Sequence, residues 1–213
     1  TAVGHKALMT SDGGYYNTAV GTNAMFGLTD GLRNTAVGSH SLDATVTGDD
    51  NVVMGYASMT TSTSGSDNVA VGVNALYSNT TSNYQTAVGY DALYSSITTA
   101  VDADAYNTAG GFKALRLNTT GTRNTALGAL AFDSNVTGHY NTALGMQSLQ
   151  SEEDGDYSVS IGYQSLYTQN SDAAGQDVYN TAVGAGAGFG LTSGIRNTLI
   201  GGTSGYAAIA GDD

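Results

Sequence analysis

The sequence predicts an all-β chain, a parallel β-solenoid of about twelve short coils, and three observations carry that prediction. The pentapeptide Asn-Thr-Ala-Val-Gly, or a close variant, recurs along the whole chain of 213 residues. Its spacing is too short for repeat units built from two packed helices. The residues before each repeat glycine are of strand type, while Gly, Ser, Thr and Asp gather between copies, which is turn chemistry.

The repeat glycine falls at Gly4, Gly21, Gly38, Gly55, Gly72, Gly89, Gly111, Gly128, Gly145, Gly162, Gly184 and Gly201. The intervals are 17 residues nine times and 22 twice, so residues 1–213 read as one repeat array with no second domain. Four residues before the glycine stands Asn in nine copies, replaced by Gln85 and Ser158 in two others. This row reads as a hydrogen-bonded ladder in the turn, of the kind that stabilises in-register β stacks. One residue before the glycine is Val, Leu, Ile or Met in every copy but that of Gly110. Two before is usually Ala. Four after the glycine comes a large apolar residue in ten copies, Leu8 and Phe132 among them, but Gly188 and Gly205 in the last two. Phe189 and Tyr206, one residue further on, are the expected replacements there.

Each unit therefore reads as two short strands and two turns, one coil pairing with the next at about 4.8 Å. Twelve coils at that rise make a rod of roughly 55–60 Å. A hairpin array is the competing all-β reading, but it favours Asn-Gly or Asp-Gly turns, and the chain has no Asn-Gly. The absence of Pro suits a continuous ladder, because Pro removes a donor. Adjacent strand residues point to opposite faces, so the Val row and the Ala row cannot both enter one thin coil. A strand apolar on both faces is covered on both. The row Ala19, Ala36, Ala70, Ala87, Ala126, Ala143 and Ala182 is thus expected to face another copy of the chain in an obligate oligomer.

Composition narrows the function classes. Lys and Arg number 6 against 18 Asp and Glu, a net charge of −12, which leaves little to neutralise nucleic-acid phosphates or anionic lipid. Without Cys there is no disulfide frame, thiolate metal site or cysteine nucleophile. No apolar run is long enough for a membrane span. A residue content 40% apolar with 14 Tyr argues for a folded chain despite 30 Gly.

The tandem motif Asn-Thr-Ala-Val-Gly-x-x-Ala-Leu resembles the head repeats of YadA-like trimeric autotransporter adhesins, and more closely the repeats of phage tail fibres and related surface fibres. The resemblance spans the whole chain, although the 17-residue period is longer than the adhesin unit. It implies an extracellular, cell-surface or virion-attached fibre segment assembled as a homotrimer. A shaft or a head that binds a surface glycan or receptor are both compatible with it. A polysaccharide-degrading spike and a filament subunit that stacks end to end are the alternatives; the first copy begins within its motif at Thr1, which favours end-to-end association.

Candidate binding residues follow from position. Five before the glycine stand Tyr16, Arg33, Tyr84, Tyr106, Arg123, Tyr140, Tyr157, Tyr179 and Arg196. Such a stripe could stack sugar rings or meet a receptor, or could simply cover the solenoid edge with apolar bodies and polar tips. The two 22-residue intervals insert five residues in the same turn and carry Asp102 and Asp104 in one loop, Asp172 and Asp177 in the other. Calcium on these aspartates, or on Glu152, Glu153, Asp154 and Asp156, has no EF-hand or nonapeptide spacing behind it, so no cofactor is assigned and solvated turns are the expectation. His5, His40 and His139 lack metal-ligand spacing, and no serine-hydrolase motif occurs, so the chain is read as no enzyme. The Thr row three before the glycine reads as structural, and the sequons at Asn79, Asn118 and Asn135 as incidental.

Overall fold

The computed structural model describes residues 1–10, 13–44, 46–97, 104–171, 173 and 175–207. Among them there is no helix, and the regular structure is short parallel strand, as the repeat predicts. The chain divides into two compact units, Thr1–Tyr106 and Asn107–Asp213. The first holds β1 (Ala2–Val3), β2 (Thr18–Val20), β3 (Thr35–Val37), β4 (Val52–Met54), β5 (Val69–Val71) and β6 (Thr86–Val88). The second holds β7 (Thr108–Gly110), β8 (Thr125–Leu127), β9 (Thr142–Leu144), β10 (Val159–Ile161), β11 (Thr181–Val183) and β12 (Thr198–Ile200). Within each unit every strand pairs in parallel with the next in sequence, like upon like: Thr18 with Thr35, Ala19 with Ala36, Val20 with Val37. The same register holds from β8 to β9, with Ala126 against Ala143.

Among the described residues each coil has one strand, not two. The apolar patch after the glycine forms a chain of turns, because the residues two and four after the glycine take positive φ: His40 at 56° and Leu42 at 51°, Lys113 at 55° and Leu115 at 50°. Extended structure cannot pass through two such residues. Coil-to-coil hydrogen bonding continues regardless, with the Leu115 N–H donating to the Ala131 carbonyl at 3.1 Å and Leu149 to Ser165 at 2.9 Å. The repeat glycine itself has φ between +115° and +142°, and a Cβ on Gly128 would lie 2.6 Å from the backbone of Gly145. No other residue fits there, which explains its recurrence in all twelve copies.

The interior reverses one expectation. Ala19, Ala36, Ala70, Ala87, Ala126, Ala143 and Ala182 are fully buried within their own coils and do not form an outer seam. Strand burial alternates outward–inward–outward, so Thr and Val share the outer face and Ala points in. The reason is volume. The large residue four after the glycine, such as Leu42, Leu76, Leu115 or Phe132, is also fully buried and fills most of the coil. That leaves room for a small side chain opposite, a methyl in most coils and, in β4, Val53 opposite Met59. β12 shows the converse. Leu199 stands in the Ala row, and a Cβ on Gly188 or Gly205 would lie 2.9 Å from its side chain. Leu199 therefore fills the space that Leu fills elsewhere. Phe189 and Tyr206, expected to do so, instead stack on Tyr167 and on each other, with ring centroids 5.1 and 4.8 Å apart.

Two buried polar ladders accompany the apolar rows. In the first, Asn124 donates from Nδ2 to the Gly138 carbonyl at 2.6 Å and accepts from the Asn141 N–H at 2.9 Å. Asn34, Asn51 and Asn141 repeat this pattern in their own coils. The second ladder, ten residues before the glycine, contains Asn79, Asn118 and Asn135, all without solvent exposure. The three sequons are thus interior structure: Asn135 Nδ2 donates to Asn118 Oδ1, and the Gly138 N–H to Asn135 Oδ1 at 3.0 Å.

Candidate binding surface

The Tyr/Arg stripe is assembled as a row, and its backbone explains why. Every residue five before the glycine, from Tyr16 at φ 63° to Arg196 at φ 59°, takes the left-handed conformation just before the Asn ladder. That turn projects each side chain outward at one per coil. In the first unit Tyr84 and Tyr106 stack with centroids 5.1 Å apart and planes within 4°. In the second, Tyr140, Tyr157 and Tyr179 form a three-ring stack at 5.0 Å per step, and the Arg123 guanidinium lies 5.2 Å over the Tyr140 ring. Burial, followed by the neighbouring Tyr140 and Tyr179 phenols, raises the Tyr157 pKa. Arg33 is bound at its Nε and Nη2 to Asp50, each at 2.6 Å. Tyr16 is 86% exposed, and Arg196 is exposed as well.

Because the ring planes lie nearly parallel and one coil apart, each inner ring covers its neighbours' faces. Within these stacks the facing ring surfaces are hidden, and the stripe presents mainly phenol edges and hydroxyls to solvent, not the flat faces on which a pyranose stacks. Its chemistry is that of a covered edge.

The inserted turns rejoin the ladder at their aspartates. Asn83 bridges Asp104 in parallel, and Asp156 bridges Asp177. Tyr106 donates its hydroxyl to Asp104 Oδ2 at 3.0 Å, and Tyr179 to Asp177 Oδ2 at 3.4 Å. Asp102 and Asp172 lie outside the described residues.

Among the described residues no group of three His, Asp or Glu side chains is disposed to hold a metal ion. Glu152 is fully buried and serves the turn: its carboxylate accepts from Gly155 N at 2.8 Å, Gln169 Nε2 at 2.9 Å and Ser171 Oγ at 2.8 Å. His139 Nδ1 accepts from the Thr122 N–H at 2.9 Å, and the His139 N–H donates to Asp156 Oδ1 at 2.6 Å. Burial raises the Asp156 pKa, against the lowering effect of that bond and of the His139 charge; Asp177 and Glu152 raise it further.

Two further aromatic rows, at one and five residues after the glycine, escaped the reading of the sequence. The first contains Tyr56, Tyr90, Phe112 and Tyr163; the second contains Phe26, Tyr77, Tyr94, Tyr167, Phe189 and Tyr206. Aligning the copies column by column reveals both. Between them lies a cleft of about 410 Å³ in the first unit, lined by His40, Tyr56, Ala57, Thr60, Asn74, Tyr77 and Tyr94. A smaller one, of about 230 Å³, lies between Tyr163 and Tyr206 in the second unit.

The outer strand face carries a regular series of exposed apolar residues. Its rows include Val52 at 40% exposure, Met54 at 43%, Val88 at 45%, Leu127 at 46% and Ile200 at 70%. Leu127 even leans across Gly110, whose Cβ would lie 2.8 Å from the leucine Cδ2.

These features define a tandem-repeat parallel β-solenoid with aromatic ladders along its turns. No family model matches the chain, and no curated protein or solved structure matches it.

Proposed function

We propose that the chain is a non-enzymatic structural and adhesive fibre segment, displayed outside a cell or on a virion, that assembles side by side as a parallel homotrimer. The observation that carries this reading is the outer strand face. Parallel strands are ordinarily covered on both sides, and here one side holds Val52, Met54, Val88, Leu127 and Ile200, each at least 40% exposed, with half-buried Val, Leu and Ile in most of the other coils. A copy of the same chain is the partner whose rows repeat at the same interval, so each apolar row can meet its equivalent along the whole contact. The trimeric number and the surface location come from the resemblance of the repeat to adhesin heads and tail fibres.

Light scattering of the purified chain tests it, with Leu127→Arg as the variant. The expected mass is three chains, falling to one in the variant with its far-ultraviolet spectrum unchanged, since an unpaired charge buried at a packed seam is strongly unfavourable. A single-chain mass for the parent, or an unchanged trimer in the variant, rejects the interface. Turnover of a polysaccharide by the parent rejects the non-enzymatic reading.

A further inference from the structure

We infer that the cleft at Tyr77 is a binding subsite for one neutral pyranose, seated in the place of a missing ring. The row five after the glycine runs Met9, Phe26, Asp43, Thr60, Tyr77, Tyr94 in the first unit. Tyr77 and Tyr94 are stacked, with centroids 5.0 Å apart and planes within 6°. The face of Tyr77 not covered by Tyr94 therefore looks toward the preceding coil, where Thr60 is too small to cover it. Asp43, one coil earlier still, is drawn aside by His40, whose Nδ1 lies 2.7 Å from the Asp43 Oδ2. The result is an aromatic stack with no ring at Asp43 or Thr60, and that gap opens into the 410 Å³ cleft, whose lining also includes Tyr94. One step of the stack is the thickness that a second ring needs, whether aromatic or saturated.

The rest of the lining suits a sugar better than an aromatic compound. Ala57, 7% exposed, is a small floor in a row where His40, Asn74 and Asp91 stand in the neighbouring coils. Tyr56 rises on the far side, 57% exposed and edge-on to His40 at 6.3 Å. Polar groups ring the gap: the Thr60 hydroxyl, which donates to the His40 carbonyl at 3.0 Å, the His40 imidazole, and Asn74, whose Nδ2 donates to Asp91 Oδ1 at 3.0 Å. An apolar ring face flanked by hydroxyl, amide and imidazole groups is the pattern that a pyranose satisfies, with C–H bonds on the ring face and hydroxyls at the rim. Charge selects among sugars. Residues 1–106 carry nine aspartates against Lys6 and Arg33, so sialic acids and uronic acids are repelled and neutral hexoses are not.

This site deepens the adhesive half of the proposed function and rests on that reading for its biological use, while its chemistry can be tested separately. The probes are methyl β-glucopyranoside, methyl β-galactopyranoside and methyl α-mannopyranoside, with N-acetylneuraminic acid as the anionic control, each titrated by NMR against the full chain. Saturable millimolar binding of at least one neutral glycoside is expected, with none for the acid. Thr60→Tyr should complete the stack and Tyr77→Ala should remove the platform, each weakening binding by about tenfold or more. The solution mass is recorded on the same samples, so loss of the sugar site is distinguishable from loss of assembly. Failure of all three neutral glycosides to bind, equal binding of the acid, or retention of affinity in a folded Thr60→Tyr chain would each overturn the assignment.

Discussion

Exchanging the filler of the last coils offers a quantitative test of how the interior is packed. Gly188 has φ +63°, and a Cβ placed there would lie 2.8 Å from Leu166 Cδ2 and 2.9 Å from Leu199 Cδ1. Gly188→Leu restores a large apolar residue, as found in ten other copies, seven of them Leu. Its backbone strain costs about 1–2 kcal/mol and its overpacking against Leu199 about 1–3 kcal/mol, so the single variant should lose about 2–5 kcal/mol. Leu199→Ala restores the other common residue. Leu199 is half-buried, so its loss should cost about 2 kcal/mol, at the low end for a Leu truncation. In the double variant the new leucine occupies the space that the old one vacates. The two changes should therefore couple favourably by at least about 1 kcal/mol, within the range seen for contacting residues. Urea unfolding of the four proteins at one protein concentration reads this directly. Additivity to within about 0.5 kcal/mol would show that Leu199 does not substitute for the missing side chain, and would refute the volume argument.

Three further outcomes are expected. Asn124→Ala leaves the Asn141 N–H without its side-chain partner in a buried ladder and the Gly138 carbonyl with Asn135 Nδ2 at 3.2 Å as its remaining side-chain donor. It should cost about 1–3 kcal/mol in urea unfolding, the penalty of one orphaned group. Asp156→Asn should stabilise the fold in a pH-dependent way. The folded-state pKa of Asp156 is raised above its unfolded value, so the stability it contributes is full below the unfolded pKa and lost as pH rises through the folded one. The gain over the parent should be absent in acid, appear as pH rises through that folded pKa, and persist at neutral pH; a gain confined to acid would reverse the sign. Trimming both inserted turns to the 17-residue interval should weaken attachment to any cell that the parent binds, if receptor contacts lie in those loops; unchanged attachment by a folded variant would clear them of that role.

The period, the parallel stacking, the Asn ladder and the pairing of Thr with Val on one strand face were all legible in the sequence. A repeat of 17 residues without Pro or Asn-Gly leaves few other arrangements. The choice of inner face was not legible from hydrophobicity alone, because Ala and Val rows are both apolar. Volume decided it, and the clue lies in β12, where a large Leu199 in the Ala row accompanies Gly205 in the Leu row. The second strand of each coil was misread for a related reason. Leu42 and Leu115 look like strand residues, yet they take a left-handed conformation that their composition does not advertise. The Tyr stripe was found and its orientation was not: side chains at one per coil stack face to face, so a row of rings hides its faces. The place to seek an open face is a row with a gap, as at Thr60.

The central claim is that the outer strand face, and not the Ala row, meets another copy of the chain. The chain has no Cys, so single cysteines report cleanly. Leu144→Cys places a thiol on the outer face and Ala143→Cys places one inside the same strand. Under mild oxidation and denaturing electrophoresis, the first variant should yield disulfide-linked pairs of chains in high yield and the second none. Cross-linking at Ala143, or none at Leu144 in a sample of multimeric mass, would contradict the account.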